Sequence, residues 1–574
     1  MRHRRKLLVL LAALAPPAFA ADAPVPPRAD GPDSVQDLVF LGENRPIFLR
    51  LRVAVGPRGF RAAWMDSVKA MHAFLDRDGN GSVSKEEADR GALATLVRLA
   101  NGGATAMPRG DLDVRPKDGV VSIDELTDAL RTALGPFRVQ DGKIAAAKTD
   151  DLFEHLDVDK DGKLARAELA QAAETLHKLD LDEDELIDGA EVVPFTDPSA
   201  MQAEDMPGRR GRLAAVSPVL ELTPDEPSLR PVRGLLKKYD KPADRRGGGG
   251  DNKLTVAEFA IAPKDFAGAD ADSDGALDTE ELRRFLARVA PDIELDVALS
   301  PDASGTAKVA LRAGGRPLPP WAKVKQLGAG DVEITADEVR LDVHVDDGLD
   351  AAAAARRSFN AQFSAADTDN NGYVEKSELT KDKDHPSPLI GLFDLLDRDG
   401  DGKLYLKEVD DFVDRQAEAA RNRMVLTASD LGRAIFSILD LNRDLRLGNR
   451  EVRGTLGRVA SWDRDGDGRI TADEIPHHYQ LNLARGQLAA AGGQNLAVAR
   501  PMSPAPDAEP AASGPSWFRR MDRNRDGDVS AREFRGPRAQ FDRLDRDKDG
   551  LIDPAEAGTA PTTTASAAPK PGPK

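Results

Sequence analysis

Oxygen-bearing side chains recur along this chain in one short pattern. Its first instance is DRDGNGSVSKEE, Asp76 to Glu87. This reads D-x-[DN]-x-[DN]-G-x5-E. Eight segments satisfy it in full, starting at Asp76, Asp157, Asp270, Asp367, Asp397, Asp463, Asp522 and Asp545. With usage of roughly 5–7% per residue type, eight matches are not chance. Two more segments start at Asp180 and Asp440; they keep every acid but carry Glu185 and Leu445 where the sixth residue is otherwise Gly. Two others are interrupted. Asp113 to Glu125 holds one extra residue, and Asp240 to Glu258 holds about seven more across RRGGGG. The chain has no cysteine, which excludes thiolate zinc sites, disulfides and cysteine nucleophiles.

The repeated segment resembles the loop of an EF-hand. The chain resembles the EF-hand superfamily, as found in secreted bacterial proteins that carry many such loops and bind calcium. The resemblance implies Ca²⁺ as the cofactor, a hard cation that takes six to eight oxygens. Positions 1, 3 and 5 supply side chains, position 7 a backbone carbonyl, position 9 often a water, and a position-12 Glu two oxygens. The implied ligands of the first loop are Asp76, Asp78, Asn80, Ser82 and Glu87. Those of the next two are Asp157, Asp159, Asp161, Lys163 and Glu168, then Asp180, Asp182, Asp184 and Glu191. In the middle of the chain they are Asp270, Asp272, Asp274 and Glu281; Asp367, Asp369, Asn371, Tyr373 and Glu378; and Asp397, Asp399, Asp401, Lys403 and Glu408. Towards the C-terminus they are Asp440, Asn442, Asp444 and Glu451; Asp463, Asp465, Asp467, Arg469 and Glu474; Asp522, Asn524, Asp526, Asp528 and Glu533; and Asp545, Asp547, Asp549 and Glu556. Every intact loop ends in Glu, never Asp, which favours calcium over magnesium. The sixth residue wants φ > 0, so Glu185 and Leu445 should each cost about 1–2 kcal/mol and weaken their loops. The two interrupted loops are expected to hold structure and bind weakly or not at all.

The net charge is −18. That argues against nucleic acid as a partner, which demands clustered Lys and Arg. Positions 1, 3, 5, 9 and 12 of the ten uninterrupted loops hold 40 of the 98 acidic residues. These sites more than account for the net negative charge, which the charge of about +20 on ten Ca²⁺ would nearly neutralise.

The loops need helices to carry them. Phe153, Phe266, Phe363, Phe393, Phe436, Phe518 and Phe541 each lie four residues before a first Asp, on the expected core face of an incoming helix. Position 8 is aliphatic in all twelve loops, from Val83 to Ile552. In the family this residue bridges to a partner loop. The closing acids fall into six consecutive couples, four of them 23 residues apart. The expected fold is mainly α: six paired helix-loop-helix modules, a small antiparallel β insertion and flexible linkers.

The expected order is a signal peptide at 1–20, a linker at 21–37 and an N-terminal β segment at 38–64. The first EF-hand pair follows at 65–135, its second loop degenerate, and the second at 140–200. After a linker at 201–230 comes the third pair at 231–290, its first loop degenerate. A small β module at 291–346 shows period-2 alternation, as in Val339, Leu341, Val343 and Val345. Pairs four and five are expected at 350–420 and 425–485, a linker at 486–515, the sixth pair at 516–558 and a disordered tail at 559–574.

Arg2, Arg4, Arg5 and Lys6 precede a short apolar run, and Ala18-Phe19-Ala20 forms an A-x-A cleavage signal. The expectation is export to the periplasm or outside the cell, with no transmembrane segment in the mature chain. Cleavage removes four cations and no acid, taking the charge from −18 to −22. No catalytic motif appears, so no enzyme is expected; the adjacent His477 and His478 are expected at a solvated helix end. The expected function is calcium binding at about ten sites, with the ions mainly structural and coupled to folding. The alternatives are a calcium-responsive adaptor that exposes a binding surface, and a β region with a calcium-dependent enzymatic or partner-binding role.

Overall fold

The computed structural model describes residues 31–558 except 85–86, 88–112, 114–116, 143–149, 181–183, 189–216, 224–228, 241–249, 301–305, 348–350, 382–386, 434, 441–445, 460–461 and 487–513. The signal peptide, the tail and most of the expected linkers lie outside the described residues.

Twelve strands build two six-stranded sheets. In chain order they are β1 (Val35–Leu41), β2 (Pro46–Val55), β3 (Arg58–Gly59), β4 (Phe137–Asp141), β5 (Val219–Leu222), β6 (Ile293–Leu299), β7 (Lys308–Leu311), β8 (Ala322–Gln326), β9 (Asp331–Ala336), β10 (Val339–Asp346), β11 (Met424–Gly432) and β12 (His477–Arg485). The first sheet runs β7-β6-β2-β1-β5, with β3 attached to β2; the second runs β8-β9-β10-β12-β11-β4. Alternate residues of both sheets meet in one core, where Ile47, Leu49, Leu51 and Val53 join Val343, Leu426 and Leu481. The other face of the first sheet presents Val39, Leu41, Phe48, Leu220 and Leu222 to the third EF-hand unit. This is the period-2 division of a strand between its two faces.

The expected mainly-α fold is overturned. Among the described residues helix makes up 38% and strand 27%, so the strands are the scaffold and not an insertion. Nor is the β part purely antiparallel. Three strand pairs are parallel: β2 with β6, β10 with β12, and β4 with β11. Parallel neighbours require long crossovers, and here the crossovers are the EF-hand units. Two loops lie between β3 and β4, two between β4 and β5, two between β5 and β6, two between β10 and β11, and two between β11 and β12. The last two loops follow β12. The reading of 201–230 as a linker throughout missed β5, and the 21–37 linker already contains the start of β1.

Each position-8 residue lies on a two- or three-residue bridge strand. Val83 pairs with Val121, Leu254 with Leu277, Val374 with Leu404, and Val529 with Ile552. The second and fifth units do not pair internally. Leu164 bridges to Ile470, and Ile187 bridges to Leu447. The consecutive pairing expected for 140–200 and 425–485 is therefore replaced by an exchange of partners. The cause is in the sandwich: β4 and β11 are adjacent and parallel, so their chains leave the same end of the sheet side by side. Their loops then share one core, with Leu152, Leu156, Leu164 and Ile187 against Leu439, Leu447, Val459 and Ile470. The first and fourth units likewise share a core, in which Trp64, Val68 and Leu130 meet Phe359, Phe393 and Phe412. The sixth unit has its own, built on Phe518, Phe534 and Phe541.

Candidate metal centres

The loop from Asp157 shows how the chain shapes each centre. Asp157 accepts the Asp161 N–H at 3.1 Å on one oxygen and the Gly162 N–H at 2.9 Å on the other. Asp159 accepts from Asp161 at 3.1 Å, and Asp161 accepts from Lys163 at 2.9 Å. Glu168 closes the ring, accepting the Val158 N–H on Oε1 and the Ala165 N–H on Oε2, both at 2.8 Å. One carboxylate thereby ties the start of the loop to the first turn of the following helix. The backbone can wrap this way because two residues adopt left-handed conformations, Lys160 at φ 58° and Gly162 at φ 80°. The sequence pattern points to the second of these. The first is marked by glycine in three loops, at Gly79, Gly400 and Gly466, and is taken in others by Ser273, Asn370, Arg525 and Lys548, which mark it less plainly.

The same closure is made by Glu87, Glu281, Glu378, Glu408, Glu474, Glu533 and Glu556. Within the loops, Asp76, Asp270, Asp367, Asp397, Asp463 and Asp545 each accept the N–H of the sixth residue. Asp78, Asp272, Asp369, Asp399, Asp465, Asn524 and Asp547 each accept the N–H two residues on. So do Asn80, Asp274, Asn371, Asp401, Asp467, Asp526 and Asp549.

The two loops without the glycine are less completely described. Asp180 accepts from Asp184 at 3.1 Å and from Glu185 at 3.0 Å. Glu185 adopts φ 66°, the left-handed conformation the pattern demands of a residue ill suited to it. Asp440 and Glu451 are buried, and Glu451 accepts from Gly448 at 3.0 Å. Asp182, Glu191, Asn442, Asp444 and Leu445 lie outside the described residues.

These donor sets suit a hard cation. Asp76, Asp78 and Glu87 each place an oxygen within 4.8 Å of the others, as do Asp157, Asp159 and Glu168, and Asp397, Asp399 and Glu408. The groups Asp270, Asp272 and Asp274, and Asp367, Asp369 and Glu378, do the same. Oxygens on opposite sides of an ion that holds each at about 2.4 Å would be that far apart. Three first-position oxygens, Oδ1 of Asp463, Asp522 and Asp545, are buried without a hydrogen-bond partner, which is the place a cation fills. Burial pushes the Asp526 carboxyl up to about 7, and the nearby Glu533 and Asp522 push the same way; a divalent ion would relieve that cost. Glu474 is held down at about 2, chiefly by the Thr471 N–H.

Position 7 does more than offer a carbonyl. In the exchanged pair Lys163 reaches Asp467 at 3.1 Å, and Arg469 reaches Asp161 at 2.6 Å. Each seventh side chain thus meets the fifth-position acid of the partner loop. Lys253 meets Asp274 in the same way. In the fourth pair Lys403 lies over the Tyr373 ring, 4.3 Å from its centre, and Ser82 donates instead within its own loop, to Asn80. Sequence reasoning missed these links, because a cation beside a calcium loop carries no partner information by itself.

The interrupted loops rejoin the regular register after their insertions. Asp113 accepts from Gly119 at 3.0 Å, and Asp240 accepts from Asn252 at 2.8 Å, each in place of the sixth residue. Both insertions fall between the first and fifth positions, which is why both position-8 residues still form bridges.

The histidines are not at a helix end. A short 3-10 turn, Ala472–Glu474, leads straight into β12. His477 bridges Glu43 at 3.2 Å and Asp430 at 2.6 Å while stacking on Tyr479. His478 is buried against Asp342 at 2.9 Å. Each imidazole nitrogen of His477 is taken by a carboxylate, so the pair serves the sandwich and not a transition metal.

A family model described as EF hand matches residues 264–286, 359–381, 516–536 and 538–556. A second, described as EF-hand domain pair, matches 117–176. That match spans two loops whose bridge strands pair elsewhere, Val121 with Val83 and Leu164 with Ile470. No curated protein and no solved structure matches the chain.

Proposed function

From the premise that the chain belongs to the EF-hand superfamily and binds Ca²⁺, we propose that it is an exported, non-catalytic protein with about ten ions that act mainly as structural ties. The observation that carries this reading is the exchange of partners between the second and fifth units. Leu164 bridges to Ile470 across about 300 residues, and the salt bridges from Lys163 and Arg469 cross the same gap. An ion that shapes either loop also shapes a long-range contact of the fold, so loading and folding are one process. The chain's −18 charge favours the same coupling, since empty loops repel one another. Export is supported by the basic, apolar and A-x-A segments of residues 1–20. No helix among the described residues is long and apolar enough to cross a membrane.

Titration calorimetry and circular dichroism on the chain without residues 1–20 test this. The expected result is a stoichiometry near ten and a large loss of helix and melting temperature in chelator. Four ions or fewer, or a melt indifferent to chelator, would refute it.

A further inference from the structure

Among the described residues, the sixth EF-hand unit shares no apolar core with the rest of the chain. Its core is Phe518, Val529, Phe534, Phe541, Leu544, Ile552 and Ala557. What holds it in place is polar. Arg450, on the helix that leaves the Asp440 loop, pairs with Asp528 at 2.8 Å and faces Asp553 at 3.8 Å and Asp549 at 3.9 Å. Arg453 donates to the Asp549 carbonyl. From the other side Asn524 donates to the Asp184 carbonyl at 3.1 Å, and Arg532 faces Glu185 at 3.6 Å. Three calcium loops and one helix therefore meet at this junction.

Asp528 is the decisive residue. It occupies position 7, where an EF-hand uses the backbone carbonyl and leaves the side chain free. Among the ten uninterrupted loops it is the sole acid at that position. It is buried, so it needs a partner, and Arg450 is that partner. The shortest contact of Arg450 thus falls on a carboxylate the ion does not use. Arg453 and Asn524 bind backbone carbonyls inside loops, at Asp549 and Asp184, and those carbonyls are aimed only when the loops hold their wrapped form.

We propose that the C-terminal EF-hand pair is an intramolecular latch, locked onto the Asp180 and Asp440 loop pair by Arg450 on Asp528, and that ion loading of its two loops closes it. This rests on the calcium reading above. By reciprocity the lock tightens ion binding in the last two loops. A latch of this kind makes the C-terminal module a calcium-dependent flap on the exchanged pair.

The test uses the chain without residues 1–20, which has no native cysteine to interfere, spin-labelled at Ala531→Cys and Lys178→Cys. Pulsed electron resonance in saturating CaCl₂ should give one narrow distance. Asp528→Asn keeps every ligand oxygen; it should broaden that distance and weaken the last two ions about fivefold or more, with stoichiometry unchanged. Arg450→Ala should do the same, and Arg450→Asp combined with Asp528→Arg should restore the narrow distance. Glu533→Gln with Glu556→Gln should lose two ions and open the latch while the other loops stay loaded. A distance unchanged by Asp528→Asn and Arg450→Ala overturns the lock. A narrow distance that persists when the last two ions are lost overturns its calcium dependence. If calorimetry finds no ions at all, the calcium reading fails, and the Asp528→Asn distance still decides the lock by itself.

Discussion

The partner exchange between the second and fifth units can be tested by covalent capture. Ala165 and Arg469 are facing residues on the two bridge strands. Facing residues of an antiparallel ladder have Cα atoms about 4.5–5.5 Å apart, inside the 4.4–6.8 Å that a disulfide spans. The chain has no other cysteine, so Ala165→Cys with Arg469→Cys offers a single possible bond. Arg469 loses its ion pair with Asp161, which is half-exposed and worth less than about 1 kcal/mol. The bond closes a loop of about 300 residues, for which the chain-entropy relation gives a ceiling of about 5.7 kcal/mol, with measured values nearer 2–4. The control is Lys163→Cys with Asp188→Cys, which face each other only if the second unit pairs within itself. Mild oxidation, followed by peptide mass mapping and calcium-loaded melting, reads the result. The first pair should bond nearly quantitatively and raise the melting temperature; the control should stay reduced. Bonding in the control and not in the first pair would refute the exchange and the reason given for it.

Glu168→Gln should remove one ion from the stoichiometry, because an amide cannot replace the two-oxygen contact. Through the shared bridge it should also weaken the Asp463 loop by a few-fold, read by calorimetry; a normal Asp463 loop would argue against coupling across the exchanged pair. His477, hydrogen-bonded to Asp430 and Glu43, outweighs its burial cost and is raised to about 9. Its folded value lies above the ordinary 6.5, so its stabilisation is complete below about 6.5 and is lost as pH rises through about 9. On the order of 3 kcal/mol is at stake. Melting temperature should fall from pH 7 to 10, and His477→Gln should flatten that fall; identical profiles would exclude the clasp. Glu43, held at about 2 by the same contact, reports the interaction from its other end and adds nothing further.

The loop geometry was legible because an EF-hand loop is local. Twelve residues contain every donor, the turn and the closing Glu, so spacing alone places Asp157, Asp159, Asp161 and Glu168 around one centre. The sandwich was not local. FRVQD in β4 and VLEL in β5 are too short to carry a clear alternation, and β11 and β12 stood inside segments already assigned to helix-loop-helix units. Their parallel and remote partners have no sequence signature. Loop pairing failed for a related reason. The 23-residue spacing is common to the units closing at Glu168 and Glu191 and to those closing at Glu533 and Glu556, yet the first exchange partners and the second do not. Spacing sets what two loops can do; the strand from which each chain departs sets what they do.

That dependence has an energetic consequence. With β4 and β11 already paired, closing the remaining stretch of about 65 residues costs roughly 4 kcal/mol in chain entropy beyond a constant. Each bridge between the second and fifth units is only two or three residues long. At about 0.5–1.5 kcal/mol net per hydrogen bond, such strands cannot carry the closure alone. The shared core of Leu164, Ile187, Leu447 and Ile470 can, but only once the four loops are wrapped so that these side chains point inward together. Empty loops oppose this, since each brings several carboxylates to one point. On the proposed reading the ions remove that opposition before the distant halves meet. Folding of the exchanged pair should then be steeply cooperative in calcium: a stopped-flow refolding series in which its rate is independent of calcium concentration would show that the core closes first and the ions merely follow.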